Sequence, residues 1–277
     1  MDRFFSREEK WLKQYLRHVD LVLEILDARL PATSRNHTFI KLLRDKKRVV
    51  ILNKADLAEK DITGHWLQLM AVEEGPVLPF SAKVKKDLHE LERTIMSYRP
   101  AGIKFRRPLR LIVVGIPNVG KSSIVNRLLH RMAAKTGARP GITKGPQWIR
   151  LRAGWEILDT PGVLQPVIKD SDSRAALAAI GSLETREVDG ETTAKWVMEK
   201  YLQREKTART LLSLYSLQHT NRGLDEIFDL IGEKRGCYLK GGLVDREKVA
   251  ALILRDFRKG TLGRISLEMP EGYGQVT

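Results

Sequence analysis

Gly115-Ile116-Pro117-Asn118-Val119-Gly120-Lys121-Ser122 has the spacing of a loop that wraps phosphate. An apolar run at 109–115 leads into it and a helix-compatible stretch at 121–131 follows. In that setting backbone N–H groups along Asn118, Val119, Gly120 and Ser123 can surround phosphate oxygens at a helix N-terminus. Lys121 would reach the outer phosphates, and Ser122 would place its hydroxyl on a magnesium ion. Asn53-Lys54-Ala55-Asp56 lies at the end of another apolar run. Asp56 can accept two hydrogen bonds from guanine N1–H and N2–H₂, a pair that adenine does not present, and such a site rejects an analogue lacking it. Asn53 would brace the neighbouring loops, and the Lys54 stem would lie along the base. Ser81-Ala82-Lys83 would put the Ala82 N–H near guanine O6. Downstream, Asp159-Thr160-Pro161-Gly162 offers a carboxylate for water-mediated contact with magnesium and, at Gly162, an N–H for the terminal phosphate. Thr143, between these motifs, is the expected second magnesium hydroxyl. Lys121, Thr143 and Gly162 make up the expected catalytic set. Taken singly, each short segment is also a common turn; their combination points to a guanine nucleotide.

These residues need strand ends to hold them. Apolar runs at 19–26, 48–53, 77–80, 109–115, 148–151 and 155–158 predict short buried strands. Between them, 7–17, 38–44, 62–72, 87–97 and 121–131 predict helices. This alternation predicts a doubly wound, mostly parallel sheet covered on both faces. The order of the motifs is unusual, because the base-reading segments precede the phosphate loop. That is the order of a circularly permuted GTPase, and the Pro/Gly-bearing stretch 98–108 stands where old ends would be joined. Beyond Pro166 the pattern becomes helical. Leu224, Ile227, Phe228 and Ile231 share a face before Gly236, and Asp245 and Gly260 bracket a helix carrying Val249, Leu252 and Ile253. Trp196, Met198 and Tyr201 predict another at 192–204. The expected organisation is a permuted P-loop domain at 1–168 and a small all-helical domain at 169–277.

The chain has 277 residues, 42% hydrophobic and 30% charged, enough for two domains. No apolar run is long enough for a membrane span. Cys237 is the single cysteine, which excludes an internal disulfide and a multi-thiolate zinc site and makes a reducing cytoplasm the expectation, an organelle matrix remaining open. Residues 1–169 hold 32 Lys/Arg against 17 Asp/Glu, whereas 170–277 hold 17 of each, so the whole net charge of +15 lies with the nucleotide motifs. Such a field favours a polyanionic partner.

The sequence resembles the ribosome biogenesis GTPase A family over nearly its whole length. Besides the pocket motifs, Asp27-Ala28-Arg29-Leu30-Pro31, Ser34-Arg35-Asn36, Arg139-Pro140-Gly141-Ile142-Thr143 and Gly232-Glu233-Lys234-Arg235-Gly236-Cys237 carry the resemblance. It implies binding of GTP and GDP with Mg²⁺, a helical domain that contacts ribosomal RNA, and a role in late maturation of the large ribosomal subunit. It also implies hydrolysis stimulated by that particle, a potassium ion held in part by Asn118, and a catalytic histidine near the N-terminus. This chain departs from the pattern in two places. Val163 and Leu164 stand where many GTPases carry a water-orienting glutamine, and no histidine precedes His18, which fits a structural role better.

A GTP-hydrolysing assembly factor, monomeric off the ribosome and in contact with rRNA and ribosomal proteins, is the resulting expectation. A GTP-binding RNA chaperone or scaffold with little hydrolysis is the alternative. A small-subunit permuted GTPase with a zinc module fits poorly with one cysteine, and a P-loop metabolic kinase would not need the Asn-Lys-x-Asp corner. Arg106, Arg107, Arg110, Lys83, Lys85, Lys86 and Lys104 in the first half, and Lys234, Arg235, Lys240, Arg255, Arg258, Lys259 and Arg264 in the second, are the candidate RNA-phosphate contacts.

Overall fold

A computed structural model of the chain describes residues 14–43, 45–99, 107–133, 147–151, 154–159, 165–183, 188–218 and 222–270. Six strands among them form one sheet: β1 Leu21–Asp27, β2 Lys47–Asn53, β3 Val77–Phe80, β4 Leu109–Val114, β5 Gln147–Leu151 and β6 Trp155–Asp159. The spatial order is β3-β2-β1-β4-β6-β5, parallel throughout except for the β5–β6 pair. All six strands begin and end within two residues of the apolar runs read from the sequence.

Helices cover both faces, as a parallel sheet requires. Odd-numbered side chains, Leu21, Leu23 and Ile25 on β1, Val49 and Ile51 on β2, Leu111 and Val113 on β4 and Ile157 on β6, enter one large core. Even-numbered Leu26, Val50 and Leu52 pack instead on Ile62, Trp66 and Met70 of α2 (Lys60–Glu74). Val22, Ile112, Val114 and Leu158 pack on Leu16, Val19 and Leu43. Between these opposite-face clusters the buried Glu24 is ion-paired with Arg35 at 3.0 Å. The predicted helix at 38–44 is shorter than expected, a single turn α1 (His37–Ile40) followed by a 3₁₀ turn.

The large core continues from α3 (Lys85–Ser97) and α4 (Lys121–Ala133) into the helical region without a break. There α6 (Gly190–Leu202), α8 (Leu224–Lys234) and α9 (Arg246–Lys259) match the sequence expectation. Asp245 caps α9 through the Lys248 N–H at 3.1 Å, and Gly260 closes it in the left-handed conformation. Two further helices, α5 (Ser171–Ile180) and α7 (Glu205–Leu214), were not anticipated. Helix α5 is rich in alanine, so its buried side carries only two large apolar residues, Leu177 and Ile180, too few to mark a helix face by spacing. Its signal is the capping box of Asp170 and Ser173. Only two residues, Gln203 and Arg204, separate α7 from α6, which merges the two patterns in sequence. Among the described residues no helix is long and apolar enough to cross a membrane.

Candidate functional site

The parallel register places the motifs together. Asp27, Asn53 and Phe80 end neighbouring strands in line, and β4 and β6 finish beside them with Ile112 opposite Leu158. Ser81, the Asn53–Asp56 corner, the Gly115–Ser122 loop and Asp159 therefore emerge from one edge, the edge where open α/β sheets bind ligands. The Asp159 backbone closes β6; Thr143 and Gly162 lie outside the described residues, as does the linker at 100–106.

Gly120 takes φ +99, and a Cβ there would stand 2.1 Å from Asn53 Nδ2, so only glycine lets loop and corner approach. That same amide donates to Val119 O at 2.6 Å. Lys54 donates to Asn118 O at 2.7 Å and pairs with Asp27 at 3.0 Å. The corner thus grips two consecutive carbonyls of the loop. Lys121 opens α4 and donates to Ile116 O at 2.7 Å; burial lowers its amine to about 8. Ser122 and Ser123 are exposed in the first turn of that helix, where backbone N–H groups lack intrahelical partners.

At the base-reading side, Asp56 Oδ2 meets Lys83 Nζ at 2.8 Å. Burial pushes the Asp56 carboxyl up, but hydrogen bonds from Lys83 and Ser81 outweigh it and hold the group below its ordinary range. It is therefore an ionised acceptor at neutral pH. The Ser81 N–H donates to Asp87 at 2.8 Å and its Oγ accepts from the Lys83 N–H at 3.2 Å, fixing the Ser-Ala-Lys turn. Arg127, on α4, donates to Ala82 O and so ties that turn to the helix behind the phosphate loop.

The residues behind this surface carry part of the family resemblance, but the sequence assigns them no role in the site. Asp27 is fully buried between Arg29, whose Nη2 lies at 2.8 Å, and Lys54. Burial raises its carboxyl, and the two cations overcome that and bring it far below the usual carboxylate range. Arg29 in turn lies 4.4 Å above the Phe257 ring and donates to Phe257 O, from α9. A strand-end Asp with an Arg two positions on signals a site only once the strand register is known. His18 lies before β1, at the opposite edge of the sheet, in a turn in which its N–H donates to Tyr15 O. Of the expected RNA-facing arginines, Arg107 pairs with Asp20 at 2.7 Å and Arg110 with Glu156 at 3.1 Å, while Lys104 and Arg106 lie outside the described residues.

Asp27→Asn should lower stability by about 3–5 kcal/mol at pH 7, because it leaves the Arg29 charge buried without its partner. The sign with pH follows from the depressed carboxyl. Its contribution is present above the unfolded value of 3.8 and is lost as pH falls towards the folded one. Urea unfolding should therefore show the gap between parent and variant narrowing below about pH 4.

Comparison with known proteins agrees with this architecture. A family described as "50S ribosome-binding GTPase" matches residues 110–235. "Ribosome biogenesis GTPase A" of Bacillus cereus is 33% identical, with 98% of this chain and 93% of that protein covered. Its namesake in Thermotoga maritima is 32% identical over 98% and 94%. Among solved structures, GNP-bound YlqF from T. maritima superposes with a TM-score of 0.67 at 28% identity, covering 95% of this chain and 97% of that one. Together with the permuted order of strands around one ligand edge, the identity and coverage place this chain in the ribosome biogenesis GTPase A family of circularly permuted GTPases.

Proposed function

We propose that this GTPase acts in late maturation of the large ribosomal subunit, binding rRNA in its GTP state and leaving on hydrolysis. The observation that carries the reading is the closure of the pocket. Asn53 and Lys54 of the base corner hold the Val119 and Asn118 carbonyls of the phosphate loop. The family description that names 50S binding, and the relatives named for ribosome biogenesis, support the choice of particle.

In this reading Asp56 accepts from the guanine edge, Ala82 N–H meets O6, and Asn118, Val119, Gly120, Lys121, Ser122 and Ser123 receive the phosphates. Gly162 and Thr143 follow the terminal phosphate, so its loss relaxes the segments that carry them. The donor set suits magnesium: the exposed Ser122 hydroxyl, Thr143 and the strand-end Asp159 are hard oxygen ligands that would hold it. Bound there, the ion neutralises charge developing on the phosphates. Asn118 already commits its amide nitrogen to Gly181 O, so the amide oxygen is the atom it would offer to a potassium ion. Residues 1–168 form the switching domain and 169–277 the RNA-docking one, in a monomer that works in the cytoplasm. With Val163 and Leu164 after the Asp-x-x-Gly segment, and His18 at the far edge, water activation falls to the bound particle.

Single-turnover GTP hydrolysis should be slow for the protein alone and rise steeply with immature large subunits. Small subunits should give no rise, and no rise with either particle would support the scaffold alternative instead. Asp56→Asn offers a donor where xanthine carries a carbonyl, so preference should shift from GDP to XDP by about a hundredfold or more in competition binding. The Lys121 amine provides a third check. Its folded value near 8 lies below the ordinary 10.5, so between these the unfolded chain holds more protons and stability without nucleotide rises with pH. A phosphate beside the amine restores its charge. GDP binding at about pH 8.5 should therefore take up a fraction of a proton, read by calorimetry in buffers of different ionisation enthalpy, and affinity should fall at higher pH.

A further inference from the structure

Helix α5 ends in a turn that touches the phosphate loop from the side opposite the base corner. Gly181 adopts φ +79 and ψ 25, its N–H donates to Ala178 O at 2.9 Å, and the Ser182 N–H donates to Leu177 O at 2.8 Å. This is the Schellman closure that a left-handed glycine permits. Arg258, on α9, then donates from Nη2 to Ala178 O at 2.9 Å and from Nε to Ala179 O at 2.8 Å. A guanidinium at a helix C-terminus both satisfies carbonyls left over by the helix and meets its partial negative charge. The turn so fixed makes two bonds to the loop. Ser182 Oγ, on a buried residue, donates to Pro117 O at 2.6 Å, and Gly181 O accepts the Asn118 side-chain amide.

We propose that Ser182 and Arg258 are positioning residues for nucleotide binding. Arg258 sets the end of α5, and through Ser182 and the Gly181 carbonyl that end holds Pro117 and Asn118 in the conformation that receives phosphate. The inference rests on the reading of Gly115–Ser122 as the phosphate loop. Three consecutive loop residues are then held from two sides: Asn118 and Val119 by the corner, Pro117 and Asn118 by the helical region. Asn118 has φ +60, a conformation that a non-glycine residue keeps only where its surroundings impose it. Holding the loop in advance lowers the ordering cost of binding. Because the same turn belongs to the helical region, a particle that shifts α5 changes nucleotide affinity, and nucleotide changes particle affinity by the same factor.

The test is the dissociation rate of a fluorescent GDP from the full-length chain, measured by stopped flow. Ser182→Ala removes one hydroxyl and should speed release about fivefold, as should Arg258→Ala. Arg258→Lys cannot span both carbonyls and should fall between parent and alanine. The double variant should release GDP little faster than the faster single one, because both residues act through one turn. Arg246→Ala, which breaks ion pairs to Glu191, Asp225 and Asp229 within the helical region, should lower melting temperature yet leave release unchanged. Parental release rates in Ser182→Ala and Arg258→Ala would overturn the proposal, as would single effects that multiply or an Arg246→Ala effect of equal size. If Arg258→Ala fails to fold, Ser182→Ala and Arg258→Lys still decide it. A parent chain that binds no GDP would instead overturn the phosphate-loop reading itself.

Discussion

The Asn53 amide on the Val119 carbonyl, at 2.6 Å and 66 residues apart in sequence, is the contact on which the ligand-facing edge depends. It joins the segment that reads a base to the segment that wraps phosphates, and Gly120 must be glycine for it to form. Lys54 repeats the join one residue away and is itself held by Asp27. Because Asp27 also engages Arg29, which leans on Phe257, the chain of contacts runs from the loop through the sheet end into α9. A group buried that deeply tolerates its charge only while both cations are in place. The corner is therefore rigid by electrostatic necessity as well as by packing.

That dependence explains why a permuted order costs the pocket nothing. Strands in a parallel sheet are fixed by their neighbours and by which side chains face which layer, and neither depends on chain order. The run of odd-numbered residues into one core and even-numbered residues into the other is kept across β1, β2, β4 and β6. Only the connections differ. Strand β3 is an edge strand and β4 a central one, so the chain must cross back over the sheet between them, and α3 lies on that route within the large core. Side-chain-to-carbonyl bonds across the strand ends, Asn53 to Val119 and Lys54 to Asn118, then join segments far apart in sequence.

Strand positions were legible because buried parallel strands read as short apolar runs bounded by polar turns, as 77–80 and 155–158 do. Helix α9 was legible because Asp245 and Gly260 bracket it with opposite chemistries. Helix α5 was not, since alanines pack closely without an obvious amphipathic stripe and only a capping pair marks its start. In the pocket, residues that contact ligand through a motif were visible from spacing. Those that hold the motif in place were not read in that role: Asp27 stood only in a family motif and Arg258 among the expected RNA contacts, and Arg127 and Ser182 were not singled out, because their partners are backbone carbonyls or distant charges. A hydroxyl that donates to Pro117 looks like any serine until two chain segments are placed side by side.

Charge supplies the last step. In the region after residue 169, which is neutral as a whole, basic side chains are largely spent on internal partners: Arg246 on three carboxylates, Lys195 on Glu191 and Asp225, Lys200 on Asp172, Arg255 on Asp256. Arg258 is spent on the end of α5 and Arg235 on the Leu214 carbonyl. Of the basic set read from sequence this leaves exposed Lys234, Lys240, Lys259 and Arg264, the first two either side of exposed Tyr238 and Leu239. The first half keeps its excess of 15 even though Arg107 and Arg110 are paired, and part of it, such as Lys47 and Arg48 at the start of β2, lies at the edge of the sheet away from the nucleotide motifs. Long-range attraction to any polyanion would therefore be stronger at the first half than at the second. The Asn118 amide on the Gly181 carbonyl joins that first half to the helical region at the phosphate loop itself.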